Sequence, residues 1–314
     1  NGLGDDAFQQ SLKGSFFDTN AFANFTVRQD ADVDPGNSLT DDDATSGDPV
    51  QIDGDLTIES GAQYGTGDAS TRDNTEAADL IYNGDQFAIT GTLFSSKVTF
   101  SGPSTTSIQG AVFAEVRVAQ NTTVQLGENF ALLGLLGVNN EGELDVNGKR
   151  LVLEGDVQIV GDLTTTSGGT IRFRGGRRET CCSGSDLGGG PDQTQQVIGS
   201  ANIEFPGLQV EDSTSTSNDI DGNTLNDDGN NTPDTVVDFI GTSGININGD
   251  FRIDEAIVRD ERPFTVQGNV TVQNSGDLRF RNNARLTFFG SSNQSVTAPS
   301  GLSVSAAELD KSSN

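Results

Sequence analysis

The residues able to do chemistry in this chain are carboxylates and one cysteine pair. Asp30, Asp32 and Asp34 alternate ahead of a Pro-Gly and are followed by Asp41, Asp42 and Asp43. A second set, Asp219, Asp221 and Asn223, precedes Asp227 and Asp228. Alternation lets every second side chain point at one ion, and hard cations take oxygen ligands, so Ca²⁺ is the cation such loops would hold. Neither run has the Glu at the twelfth position of an EF-hand loop, and a solvated acidic loop is the competing reading. Cys181 and Cys182 are adjacent, which is neither a redox C-x-x-C nor a zinc set. They read either as a local vicinal disulfide or as disulfides between subunits in an oxidising compartment. Arg177 and Arg178 beside them would lower a thiol pKa.

Composition removes several activities. The 314 residues include no His, so Ser-His-Asp and Cys-His nucleophiles and His-ligated metals are excluded. Lys and Arg number 18 against 46 Asp and Glu, a net charge of −28, which disfavours nucleic acid and anionic membranes as partners. Clustered carboxylates on a solenoid face could serve a polysaccharide lyase or hydrolase. Acidic residues are too abundant here for any pair to be informative, and no Trp is present to stack on sugars. The expectation is therefore not an enzyme. The Asp-over-Glu bias suits a saline or cation-rich extracellular setting. Absence of Met fits a removed secretory leader or a fragment. The longest apolar run, Phe130 to Val138, is too short to span a membrane.

The elements that must carry these residues read as β throughout. Leu151-Val-Leu, Val157-Gln-Ile, Phe251-Arg-Ile, Phe264-Thr-Val and Val270-Thr-Val place apolar residues at i and i+2, the period of a half-buried strand. Gly, Asn and Asp punctuate them every 6–10 residues. Three segments share a grammar: Val98–Gly102, Ile171–Gly175 and Leu286–Gly290 each end in Phe-x-Gly, and each is followed by further alternating strands. Once the insertions at about 176–192 and 212–244 are removed, their separation implies a period of about 65–75 residues. Short strands, uniformly Val/Ile/Leu/Phe inward positions, and insertions that leave the later register intact favour a right-handed parallel β-helix. A tandem β-sandwich is the alternative.

The strings LVLEGDVQIVGDLTTTSGGTIRFRGG and FTVQGNVTVQNSGDLRFRNNARLTFFGSSNQSV resemble secreted bacterial β-solenoid surface proteins of the adhesin and appendage type. The resemblance covers roughly residues 50–310 and is one of repeat grammar. It implies an extracellular and often multimeric protein, and it carries no active site.

Residues 1–48 depart from the repeat and read as an arm or cap before a solenoid over 49–314. Phe16, Phe17, Phe22, Phe25 and Val27 form an aromatic, strand-like stretch that would either cap the first turn or add a strand to a neighbouring subunit. The expected function is a structural subunit of an extracellular filament or surface assembly, its partner another copy of itself. A monomeric adhesin binding surface glycans is the alternative, and a polysaccharide-cleaving enzyme the third reading. Asn-x-Ser/Thr sequons begin at Asn24, Asn121, Asn230, Asn269 and Asn293, which leaves glycosylation open.

Overall fold

A computed structural model describes residues 9–11, 22–28, 32–34, 49–64, 79–102, 106–132, 134–174, 194–199, 203–211, 235–241, 244–254, 256–260, 263–274, 276–280, 285–290, 292–298 and 307–310. Every strand pairing among them is parallel. That excludes the sandwich and gives a parallel β-solenoid. No helix of the described residues is long and apolar enough to cross a membrane.

Each coil has three strands, one per face. The first face stacks Val50 on Leu80, Val98, Val116, Leu136, Val157, Val197 and Phe239, and beside it Val237 on Val258 and Leu278. The second runs Phe25, Leu56, Phe87, Ile108, Leu126, and beside it Val124, Leu144 and Leu163. It continues in Ile203, Ile245, Phe264 and Leu286. The third begins with Gln9–Ser11 on Asp32–Asp34 and Gln63–Tyr64, and later stacks Phe130, Leu151, Ile171, Leu208, Phe251 and Val270. Strands Thr92–Phe100, Thr106–Val118 and Thr123–Leu132 are longer than the short strands expected because they run round a corner from one face to the next.

The registers give the true period. Leu80 pairs with Val98 and Val98 with Val116, a step of 18; Leu136 pairs with Val157, a step of 21. One coil is thus 18–21 residues, and the 65–75-residue repeat is corrected. Its three anchors, Val98, Ile171 and Leu286, lie on the first, third and second faces respectively. All three faces impose the same inward-outward-inward demand, so strands on different faces look alike in sequence.

The core is the stack of inward side chains. Ile52, Leu56, Leu80, Val98, Ile171, Val210, Ile253 and Val266 are fully buried. Each such side chain contributes about 1.5–3 kcal/mol of apolar transfer. Aromatics interlock edge-to-face within this column: Tyr82, Phe87 and Phe100 with centroids 5.1–5.8 Å apart, and Phe173, Phe205, Phe239, Phe264 and Phe251 at 5.5–6.2 Å. Corners are closed by glycines with no room for a side chain. A Cβ on Gly84 would lie 2.0 Å from the Gly54 carbonyl oxygen, and one on Gly268 would lie 2.3 Å from that of Gly249. Asp or Asn after the glycine caps the next coil: Asp250 Oδ1 accepts Asn269 N–H at 2.7 Å, and Asp156 Oδ1 accepts Gln196 N–H at 2.8 Å.

The sequence boundaries shift in two places. Strands Gln9–Ser11, Phe25–Val27 and Asp32–Asp34 pair in register with the solenoid, so the ladder begins inside 1–48. Thr235–Ile240, within the insertion read as 212–244, is a first-face strand on Thr194–Gly199. The five longest connections all join the third face to the first: Ser11 to Phe22, Asp34 to Val50, Tyr64 to Leu80, Phe173 to Thr194, and Glu211 to Thr235. The described ends of these connections therefore all lie at one edge of the solenoid, and the ladder keeps its register across them.

Candidate assembly ends and outward ladders

The two ends of the solenoid present different side chains. At the N-terminal end, Phe25–Val27 pairs with Leu56–Ile58, and Phe22 bridges to Ile52. Phe22 and Phe25 meet edge-to-face at 5.2 Å, and Phe25 meets the buried Tyr64 at 5.9 Å. Val27 is fully buried. These three residues of the expected arm thus form part of the chain's own first coil, with Phe25–Val27 the outermost strand of the second face among the described residues. Phe16 and Phe17 lie outside the described residues.

At the opposite end, Asp277–Phe280, Val296–Thr297 and Ala307–Asp310 are the last described strands of the first, third and second faces. An inward apolar side chain is exposed here: Val296 is 46% exposed, whereas Val270, its pairing partner one coil earlier, is fully buried. Phe289, 40% exposed, points outward beside the inward Phe288 and lies one strand before Ala307–Asp310.

Outward positions on the second and third faces form hydrogen-bonded ladders. Asp145 is buried although it sits on an outward corner. Burial pushes its pKa up, but Gln125 Nε2 at 2.9 Å, Thr166 N–H at 3.0 Å, Thr166 Oγ1 at 2.8 Å and Asn147 N–H at 2.9 Å outweigh it, leaving the carboxyl below the usual range. Beside it Glu143 accepts Thr164 Oγ1 at 2.6 Å.

On the third face an ionic ladder runs along the axis. Glu211 Oε1 lies 2.8 Å from Arg172 Nη1 and 3.4 Å from Arg174 Nε, and Glu154 Oε1 lies 3.9 Å from Arg174 Nη1. Gln209 bridges the Arg172–Glu211 pair, donating to Glu211 and accepting from Arg172 Nη2 at 3.2 Å. Glu154, Arg174 and Glu211 are buried. Outward residues of a solenoid are normally wet, whereas in this column alternating charges are buried and pair along the axis. It stands where the chain departs after Phe173 and after Glu211, the roots of two long connections. Sequence reading missed this ladder. The only signal was Arg at i and i+2 in Ile171-Arg-Phe-Arg, matched 37 residues later by Gln209 and Glu211.

Of the expected cation ligands, Asp32 and Asp34 lie on the third-face strand paired with Gln9–Ser11. Asp30, Asp219, Asp221 and Asn223 lie outside the described residues, as do Cys181 and Cys182. Among the described residues no group of three or more His, Cys, Asp or Glu is placed to hold a metal ion. Comparison with known protein families, with curated proteins and with solved structures finds no match, so fold and site rest on the geometry alone.

Proposed function

We propose that this chain is a structural subunit of an extracellular filament or surface assembly, built by stacking solenoids end to end. The observation that carries the reading is the C-terminal end, where Val296, on the last described strand of the third face, stands exposed although it pairs with the fully buried Val270 one coil earlier. Parallel strands have unsatisfied N–H and C=O groups on an open edge, which template further pairing. Both ends offer strands of all three faces running in the same sense, so a second copy can extend every ladder without reversing direction. Phe25–Val27 is the strand to which the second face of a neighbour would pair. Self-repulsion at −28 opposes such stacking, and salt or bridging cations would relieve it.

The gathering of the five longest connections on one edge favours a second reading, an adhesin that displays a binding edge. The two separate on assembly state. Electron microscopy and sedimentation of the purified protein, with and without reductant and a Ca²⁺ chelator, should show filaments. Val296→Lys should yield single subunits with unchanged far-ultraviolet circular dichroism. Wild-type protein that sediments as a monomer in every condition would contradict the filament and favour the adhesin.

A further inference from the structure

The sequons are not equivalent in the folded chain. At Asn269 the carboxamide is committed: Nδ2 donates to Asp250 Oδ1 at 3.1 Å, while Oδ1 accepts Ser295 N–H at 3.0 Å and Ser295 Oγ at 2.9 Å. Asn24, in the first coil, is tied to the next one through its oxygen, Oδ1 accepting Asp55 N–H at 2.8 Å. Asn230 lies outside the described residues. All four described sequon asparagines are exposed, but only at Asn121 and Asn293 does the carboxamide form no hydrogen bond among the described residues. Asn121 also occupies a turn with φ of 58°, a left-handed conformation that Asn tolerates and that lifts the side chain off the strand path. The next coil's turn at the same corner, Asn139 to Glu141, is exposed as well, so nothing described roofs the site.

We propose that Asn121 and Asn293 are N-glycosylation acceptors and that Asn24 and Asn269 are not; this rests on the extracellular reading above. The donor class is an oligosaccharide linked through diphosphate to a lipid. The carboxamide Nδ2 forms a bond to C1 of the reducing-end sugar, the C1–O bond to diphosphate breaks, and the lipid diphosphate leaves with the proton the amide gives up. A glycan at Asn269 would have to displace its bond to Asp250, whereas at Asn121 and Asn293 it projects into solvent.

The test is peptide mass spectrometry of the protein from the culture medium and from the cells of its own host. Enzymatic deglycosylation in heavy-oxygen water marks each formerly glycosylated Asn as labelled Asp. Label at 121 and 293, with Asn24 and Asn269 unlabelled, is expected. Asn121→Gln and Thr123→Ala should each abolish the first, and Thr123→Ser should retain it. Extracellular protein unlabelled at both positions overturns the acceptor assignment and leaves the secretion reading intact. Label at Asn269 overturns the accessibility argument. Protein found only inside the cells overturns both readings together.

Discussion

The corner glycines make the most quantitative prediction about what holds the coils together. Gly84 has no left-handed backbone, so alanine there is not penalised by φ. Its Cβ, however, would lie 2.0 Å from the Gly54 oxygen, 2.5 Å from the Gly54 carbonyl carbon and 2.6 Å from the Tyr82 hydroxyl. Two of these are backbone of the preceding coil and cannot rotate away. Relief requires the two coils to part by about 1 Å, since a carbon and an oxygen meet no closer than roughly 3.2 Å. That lengthens the bonds at this corner: Asn83 N–H to Ile52 O at 2.8 Å, and the ladder from Leu56–Ile58 to Phe87–Ile89. Each bond is worth about 1 kcal/mol net, and overpacking adds about 1–3 kcal/mol, so Gly84→Ala should cost about 3–5 kcal/mol. Gly168 is the control. Its φ is +81° and no atom lies within 4 Å of an added Cβ, so alanine there should cost only about 1–2 kcal/mol of backbone strain. A solenoid need not unfold in one step, so urea titration should be paired with hydrogen exchange on peptides covering 49–64 and 79–102. If Gly84→Ala proved as mild as Gly168→Ala, the close approach of corners would not be what sets the coil spacing.

Two further outcomes follow from buried polar groups. Tyr64 is fully buried, its hydroxyl has no hydrogen-bond partner among the described residues, and burial pushes its phenol pKa up. Tyr64→Phe should therefore raise stability by about 1 kcal/mol in urea titration, and a loss would show the hydroxyl to be satisfied. Asp145 has a folded pKa below its unfolded value near about 3.9. Its contribution is thus present at pH above the unfolded value and is lost as pH falls through the folded one. Asp145→Asn should cost about 1–2 kcal/mol at neutral pH and flatten the acid limb of the stability profile. An unchanged acid limb would show that other carboxylates govern it.

The strand grammar was legible because each face demands the same alternation, as in Val157-Gln-Ile and Phe264-Thr-Val. The same uniformity hid the coil. Asn83-Gly84-Asp85 turns from the first face to the second, Glu154-Gly155-Asp156 from the third to the first, and Gln267-Gly268-Asn269 from the second to the third. One corner motif serves three corners, so its recurrence cannot count coils. Pairings across the connections, Ile171 to Leu208 and Leu208 to Phe251, are set by stacking and leave no local mark. Neither does the burial of Arg174 and Glu211, which read as ordinary outward charges until the fold places them one coil apart. Phe22, Phe25 and Val27 stood out as aromatic and strand-forming, and they are, but their ladder partner is the chain's own second coil.

The central claim is that copies stack end to end with their parallel ladders continuous across the junction. Cryo-electron microscopy of the assembled protein tests it most directly. The account predicts filaments in which the rung spacing of about 4.8 Å runs unbroken along the axis, with Val296 buried against the coil of the next copy that carries Phe22 and Phe25. Filaments joined side to side, with both solenoid ends open to solvent, would contradict it.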